Sequence, residues 1–516
     1  MRKIYQKATQ TLIWLGTDPF DIASTAFAAI NEFTEDMLWI LKSTKAQVCN
    51  TANLAGLAAQ FYHDRTTNTH WDVNQLKVVA IGELFKCPWF ERLWVMQELN
   101  MSMHATTWWG TSCEDARFIA FVACCLLQDL DAKIFMESMT KVKCAAAMVQ
   151  PALNMQQPSL LDVMHSTSFF KATDARDRVY AMLSTEIFQL QKEKLVPNYG
   201  ISTEDLFQKF AEISIRSDAC LDCLSYVGHE HERQDATNMW RAAFRQKKNK
   251  LTEHIFTPSW APMWDSEVRS RHSALRASSL NFKACPKWLP PAKPRVVGSS
   301  LVVSGVIIDD IHIVRELDGT IMALIEDTKP YHLEAKRERF WIDFIKPWAR
   351  YRDEELVDEV YGKTLTLGNT IRRHWSQSPY LLSNFLEDRF GNKPSVLASI
   401  LKTHCPTAST KNKGDSRSYF KRADEMRMYM KRVREYMTLR RFIVTSRGFL
   451  GQGPCVTRVR DKVALLEGSR VPIILRPSTQ GRYLVMGDAY IHGLMYGEVA
   501  YLTEFKDMKP ERIVLQ

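Results

Sequence analysis

Residues Met1 to Gly16, MRKIYQKATQTLIWLG, set the tail of an amphipathic helix directly before an apolar strand, Thr11 to Leu15, and this junction limits what the chain can fold into. A strand this apolar belongs inside a sheet with neighbours on both sides, yet no N-cap or turn signal starts the helix and no strand precedes it. Its partners are expected to be missing or to come from far downstream. The next strand pattern is Ala105 to Trp109, with Ala/Ile/Leu/Met-rich helical periodicity over Asp21 to Ala59 in between. The front of the chain therefore reads as α/β.

The 516 residues suffice for two to four domains, and 46% hydrophobic content with 11% aromatics is ample for packed cores. No apolar run reaches the length needed to cross a bilayer, and Arg2-Lys3 is not followed by the apolar stretch of a signal peptide. The expectation is a soluble, cytoplasmic protein. Eleven cysteines are too sparse for a disulfide scaffold and odd in number, which suits reduced, buried thiols.

Four regions follow from pattern. Residues 1–110 are α/β. Residues 111–263 are mainly helical, through FIAFVACCLLQDL, DRVYAMLSTEIFQL and STEDLFQKFAEISIRS, the last started by Ser202 with Asp205 in a variant capping box. Pro258, Pro262, Pro286, Pro290, Pro291 and Pro294 mark a connecting stretch. Residues 264–330 and 441–516 are β-rich, with a hairpin turning at Gly298-Ser299 and strands RFIVTS, KVALLEG, VPIILRP and RYLVMGDAYI at the spacing of a small antiparallel sheet or barrel. The two β portions are expected to meet in space around a helical insertion, 331–440, with 405–418 as a mobile loop. From Lys411 to Arg441, eleven Lys/Arg stand against four Asp/Glu, a local +7 within a net charge of +10. Met426, Met430, Val433 and Met437 recur there at helical spacing, the pattern of a docked helix with a solvated basic face. No basic-aromatic motif points to nucleic acid.

The segment CPWFERLWVMQELNMSMHATTWWG, Cys87 to Gly110, carries a Pro-Trp-Phe, Arg, Trp, Gln-Glu pattern followed by a strand. Pro88 suits a helix start, with Trp89, Leu93 and Met96 on one face. This pattern resembles the fungal heterokaryon-incompatibility (HET) domain, as does the helix ending Ile4-Tyr5 that leads to Trp14-Leu15-Gly16. DARDRVYAMLS (Asp174 to Ser184), PNYGIS (Pro197 to Ser202), TPSW (Thr257 to Trp260), RRFIVTSRGFLGQGP and DAYIHGLMYGE follow in family order. Two earlier strand motifs of the family have no counterpart, so the resemblance implies an incomplete HET domain.

The resemblance implies a role in fungal non-self recognition and cell death, through protein partners or self-association. The alternative is a non-catalytic interaction or regulatory module, or a truncated inactive relic. HET domains are distantly similar to Toll/interleukin-receptor domains, whose enzymatic members cleave NAD with a helical glutamate, so the implied fold is an incomplete Toll/interleukin-receptor-like core. By that resemblance Glu98 is the candidate catalytic residue and NAD a substrate rather than a cofactor, with Trp94 walling the pocket. A single carboxylate suffices to orient a ribose and stabilise oxocarbenium-like charge, since nicotinamide leaves readily. Glu98 is alternatively a structural group paired with Arg92 or Lys86. Arg92, Arg176 and Arg178 are candidate anion-binding residues, although DARDR also reads as a capped helix start with tethering arginines.

Cys220, Cys223, His229 and His231 lack the spacing of a zinc finger, and no metal is expected. GFLGQGP, with Gly448, Gly451 and Gly453, lacks the Lys-Ser/Thr of a phosphate loop and is expected to be a turn between strands. No nucleophile elbow, His-Glu-x-x-His pair or dinucleotide fingerprint occurs.

Overall fold

The computed structural model describes residues 2–43, 75–100, 102, 104–128, 139–149, 159–184, 195–218, 220–231, 253–254, 258–264, 282–290, 293–316, 344–351, 357–368, 436–437 and 440–516. Two compact units emerge, residues 1–217 with 264–270, and 218–263 with 271–516. The stretch expected as a separate helical region, 111–263, is thus divided near residue 217. The basic helix pattern ahead of Tyr436 and the loop 405–418 lie outside the described residues.

In the first unit, helix α1 (Arg2–Lys7) leads into strand β1 (Thr11–Trp14). Helices α2 (Ala23–Ser43), α3 (Gln75–Leu84) and α4 (Val95–Asn100) precede strands β2 (Ala105–Trp109) and β3 (Ser112–Asp115). The sheet order is β1-β2-β3, with β1 parallel to β2 (Thr11 opposite Ala105, Trp14 opposite Trp108) and β3 antiparallel. Among the described residues β1 has one strand neighbour rather than the two expected of it. It reads out as alternation: Thr11, Ile13 and Leu15 are buried, while Leu12 and Trp14 face solvent. Helices α5 (Ala116–Gln128) and α6 (Met139–Val149) pack on each other, and α2 and α5 both lie against the sheet. Helix α7 (Leu160–Ser166) starts with a full capping box between Ser159 and Asp162. Short α8 (Asp177–Tyr180) and α9 (Thr203–Asp218) follow, the latter capped by Ser202 Oγ, which accepts from Asp205 N–H at 3.0 Å as its sequence requires.

The second unit holds a short antiparallel pair, β4 (Glu230–His231) with β5 (Glu253–His254), and is otherwise built on one long strand. β7 (Ser300–Glu316) forms a hairpin with β6 (Arg295–Val297), turning at Gly298 with φ +62°. β7 then passes three partners in succession. Leu301–Gly305 pair with β14 (Glu511–Leu515), Gly305–Asp310 with β10 (Lys462–Leu466), and Ile311–Glu316 with β8 (Arg440–Thr445). β10 pairs β11 (Ile473–Pro477), β11 pairs β12 (Tyr483–Asp488), and β12 pairs β14, which returns to β7. Five strands thereby close into a ring. Beyond it, β8 continues to β9 (Leu450–Pro454) and β13 (Tyr490–Ile491). Gly305 pairs with both β10 and β14. A Cβ there would stand 2.7 Å from the Leu466 side chain and 2.8 Å from Leu465 O, so only glycine lets both neighbours approach. Val306, Ile308, Val463, Leu465, Ile474 and Met486 fill the core.

One expectation needs correction here. Gly448, at φ +83°, does turn the chain between β8 and β9, but Gly451 and Gly453 lie inside β9 rather than in turns. The reason is close approach: a Cβ on Gly451 would stand 2.5 Å from Tyr490 O, and one on Gly453 2.7 Å from Thr457 Oγ1. Helix α10 (Val357–Leu365) packs on β9, where Gln452 is fully buried and its amide N–H donates to Thr364 O. At the start of β8, Arg440 forms an ion pair of 2.7 Å with Asp488, both side chains 4% exposed. Burial pushes the Asp488 carboxyl up from its ordinary range, against the opposing pull of Arg440.

Candidate functional site

The segment expected to be one helix from Pro88 through Glu98 is broken. Pro88–Glu91 form a single 3-10 turn, then Arg92 adopts extended backbone (φ −79°, ψ 126°) and α4 starts at Val95. The break is held by an isolated parallel bridge between Arg92 and Lys171, with Leu93 N–H donating to Lys171 O at 3.0 Å. Trp89, Leu93 and Met96 are all buried nevertheless. Glu91 closes the junction by ion pairs to Lys141 (2.9 Å) and Lys171. Burial alone would raise its carboxyl, but the hydrogen bonds from the two lysines outweigh it and hold it below the usual range.

Glu98 lies in the first turn of α4, half-buried, and its Oε2 accepts the indole N–H of Trp89 at 3.2 Å. The aromatic ring serving this carboxylate is therefore Trp89 and not Trp94. Tyr5 of α1 is close enough to respond to it. Burial, then the Glu98 charge, raise the Tyr5 phenol, while Arg92 pulls the other way. Glu98, Trp89, Tyr5 and Arg92 thus form one electrostatic neighbourhood, with Arg92 at its exposed side.

Trp94 faces a different partner. Its indole N–H donates to Asp177 Oδ2 at 3.1 Å, and the other oxygen of this buried carboxylate accepts from Tyr199 OH at 2.7 Å. Burial, then the hydrogen bond to Asp177, push the Tyr199 phenol up to about 12. Arg176 pairs with Asp174 through Nε (2.9 Å) and Nη2 (2.7 Å), its Nη1 donates to Ile201 O (3.0 Å) and Tyr199 O, and its Cζ lies 5.2 Å from the Tyr199 ring centroid. Tyr180 OH donates to Asn198 O (2.7 Å) and accepts from Asn198 N–H (3.1 Å). DARDR and PNYGIS are therefore two halves of one bonded cluster. Arg178 is buried and turned elsewhere, toward Thr167 O (3.4 Å) and Ser168 O (3.3 Å). The structure does not bring Arg176 and Arg178 together as an anion cradle. Gln97 Nε2 donates to Ala181 O at 3.0 Å and ties α4 to the same segment.

Among the described residues no group of three or more His, Cys, Asp or Glu side chains is arranged to hold a metal ion. His229, one of the four residues weighed for that role, is buried with Nε2 2.6 Å from Val485 O, and Cys223 is buried in the 3-10 turn Asp222–Tyr226. No described helix is long and apolar enough to cross a membrane.

The family model described as heterokaryon incompatibility protein (HET) matches residues 1–98, and that of the Het-6 beta-barrel domain matches residues 405–509. The chain is thus similar to HET domain proteins over its first 98 residues and to the Het-6 beta-barrel domain over residues 405–509. It is 22% identical, over 98% of its own length and 79% of the relative's, to heterokaryon incompatibility protein 6, OR allele, of Neurospora crassa. No solved structure matches it. The HET match runs through α1, β1 and the broken Trp89–Glu98 segment. The Het-6 barrel match contains β8 to β13, while β7 and β14, the strands that close the ring, fall outside it.

Proposed function

We propose that this protein acts in the cytoplasm in fungal non-self recognition, with death of fused cells as the outcome. The observation that carries this reading is the pairing of a HET domain with a Het-6 barrel in one chain, in the order and over nearly the length of a heterokaryon incompatibility protein. The barrel's closed hydrogen-bonding ring and apolar core make it a rigid module. The first unit supplies an α/β surface for protein partners. Deleting the gene from one of two incompatible strains and scoring heterokaryon stability tests the role: the account predicts that deletion at this locus relieves incompatibility in some strain pairs, and incompatibility unchanged in every pair contradicts it.

A second, chemical reading attaches to Glu98 and rests on the half-buried Trp89–Glu98 hydrogen bond beside Tyr5. In this reading the first unit is a partial Toll/interleukin-receptor-like core. Glu98 orients the ribose of NAD and stabilises charge at C1′ as the bond to nicotinamide breaks and a water oxygen bonds to C1′, its proton going to solvent, while Trp89 fixes the carboxylate's rotamer. Nicotinamide release by the purified chain, compared with Glu98→Gln and with Trp89→Phe, tests it. Loss in Glu98→Gln with partial loss in Trp89→Phe supports catalysis; no release from the parent leaves the interaction role alone.

A further inference from the structure

The outer edge of β1 is built to pair. In its parallel ladder with β2, the backbone groups of Thr11, Ile13 and Leu15 face β2, as the bonds Thr11 N–H to His104 O (2.8 Å) and Leu15 N–H to Trp108 O (2.9 Å) show. Alternation then turns the N–H and C=O of Leu12 and Trp14 outward. Both side chains are exposed as well, Leu12 by 66% and Trp14 by 58%. The register continues the exposed face across the sheet, since Trp14 stands opposite Trp108 (37% exposed) and Trp108 opposite the exposed Cys113. An edge with no strand neighbour among the described residues, flanked by apolar side chains, is a template for strand addition.

We propose that the occupant is a second copy of this chain, adding its own β1 antiparallel about a two-fold axis through Ile13. The edge is self-complementary in that arrangement. Leu12 of each copy meets Trp14 of the other, each such pair exchanges two backbone hydrogen bonds, and the exposed leucine and tryptophan side chains become cross-strand neighbours. Charge agrees: Ala8 to Thr17 contains no charged residue, so the contact escapes the repulsion of two chains each carrying +10, and the Lys7 end of one copy meets the Asp18 end of the other. Area agrees too. Only the edge backbone and parts of the Leu12 and Trp14 side chains come together across the seam, with Trp108 one strand further in, so the buried area is below that of a standard specific interface and fits a weak pair. The pair is accordingly a weak, reversible dimer with a continuous six-stranded sheet, and it is independent of the chemical reading of Glu98.

Sedimentation equilibrium of the full chain over a wide concentration range tests this, with Leu12→Pro and Trp14→Lys beside the parent. Proline at position 12 removes an N–H that β2 does not use, so the β1–β2 ladder survives and strand addition is blocked. Trp14→Lys acts by charge and desolvation instead, and near-UV circular dichroism verifies that each variant is folded. The expected result is a monomer–dimer equilibrium in the parent and a dissociation constant raised at least tenfold in both variants. A parent monomeric at every concentration, or a dimer indifferent to both substitutions, overturns the proposal. So does amide-exchange protection of Leu12 and Trp14 at concentrations where the chain is monomeric, because another segment of the chain then occupies the edge.

Discussion

Trp94 and Asp177, 83 positions apart, are joined by an indole N–H to carboxylate hydrogen bond of 3.1 Å, and the same carboxylate takes Tyr199 OH at 2.7 Å. Three separate sequence motifs thereby share one buried anion. Removing a single donor leaves a buried carboxylate less well satisfied, so Trp94→Phe and Tyr199→Phe should each destabilise the first unit by about 1–3 kcal/mol. A double-mutant cycle in urea should show coupling between them, because they act on one acceptor. Strict additivity would place the two donors on independent partners.

Glu91 gives the first unit an acid-labile component. Its folded carboxyl lies below the unfolded value, so the stability it contributes is present above the ordinary glutamate range and is lost as pH falls through the folded value. Glu91→Gln should therefore be less stable than the parent at neutral pH, and the difference should shrink as pH falls from about 5 toward 3, through the ordinary glutamate range. Urea midpoints at several pH values check the sign. A gap that widens on acidification would mean the lysine contacts do not hold Glu91 ionised.

In the barrel unit, the Arg440–Asp488 pair is buried on both sides. Arg440→Met strands a buried carboxylate and should cost about 3–5 kcal/mol, whereas replacing both partners with apolar side chains of similar volume should cost much less. Thermal unfolding of the two variants separates these cases. Equal losses would show that Arg440 acts through its packing rather than its charge.

Gly451→Ala should destabilise β9 by about 1–3 kcal/mol or more, because the added carbon meets the Tyr490 carbonyl oxygen rather than a movable side chain. Gly298→Asn is the control, since its turn is open and asparagine tolerates positive φ. Comparable losses at both sites would remove the close-approach explanation.

Much of this was legible in sequence. The β-branched run at 300–316 and the strands from 440 onward announce themselves by composition, and β2 falls where the Ala105 to Trp109 pattern places it. Ser202 caps α9 because capping is local. What sequence did not show depends on partners brought from a distance. The break at Arg92 is imposed by Lys171, against a continuous helical periodicity from Pro88. The glycines of β9 look like turn residues until Tyr490 O of β13 arrives beside Gly451 and Thr457 beside Gly453. At the site, Glu98 was identifiable by resemblance, but its tie to Trp89 and the diversion of Trp94 to Asp177 follow from that same break. The indole and phenol donors near an acidic motif were the available signal for Asp177.

The central claim is incompatibility, and the most direct measurement is the fraction of fused hyphal compartments that take up a membrane-impermeant dye when a strain expressing this chain meets an isogenic strain carrying a different allele at the locus. The account predicts dye uptake well above that of self-fusions, and a fall toward the self-fusion level when the barrel is destabilised by Arg440→Met. Dye uptake equal in self and non-self fusions, with the protein verified as expressed and folded, would contradict it.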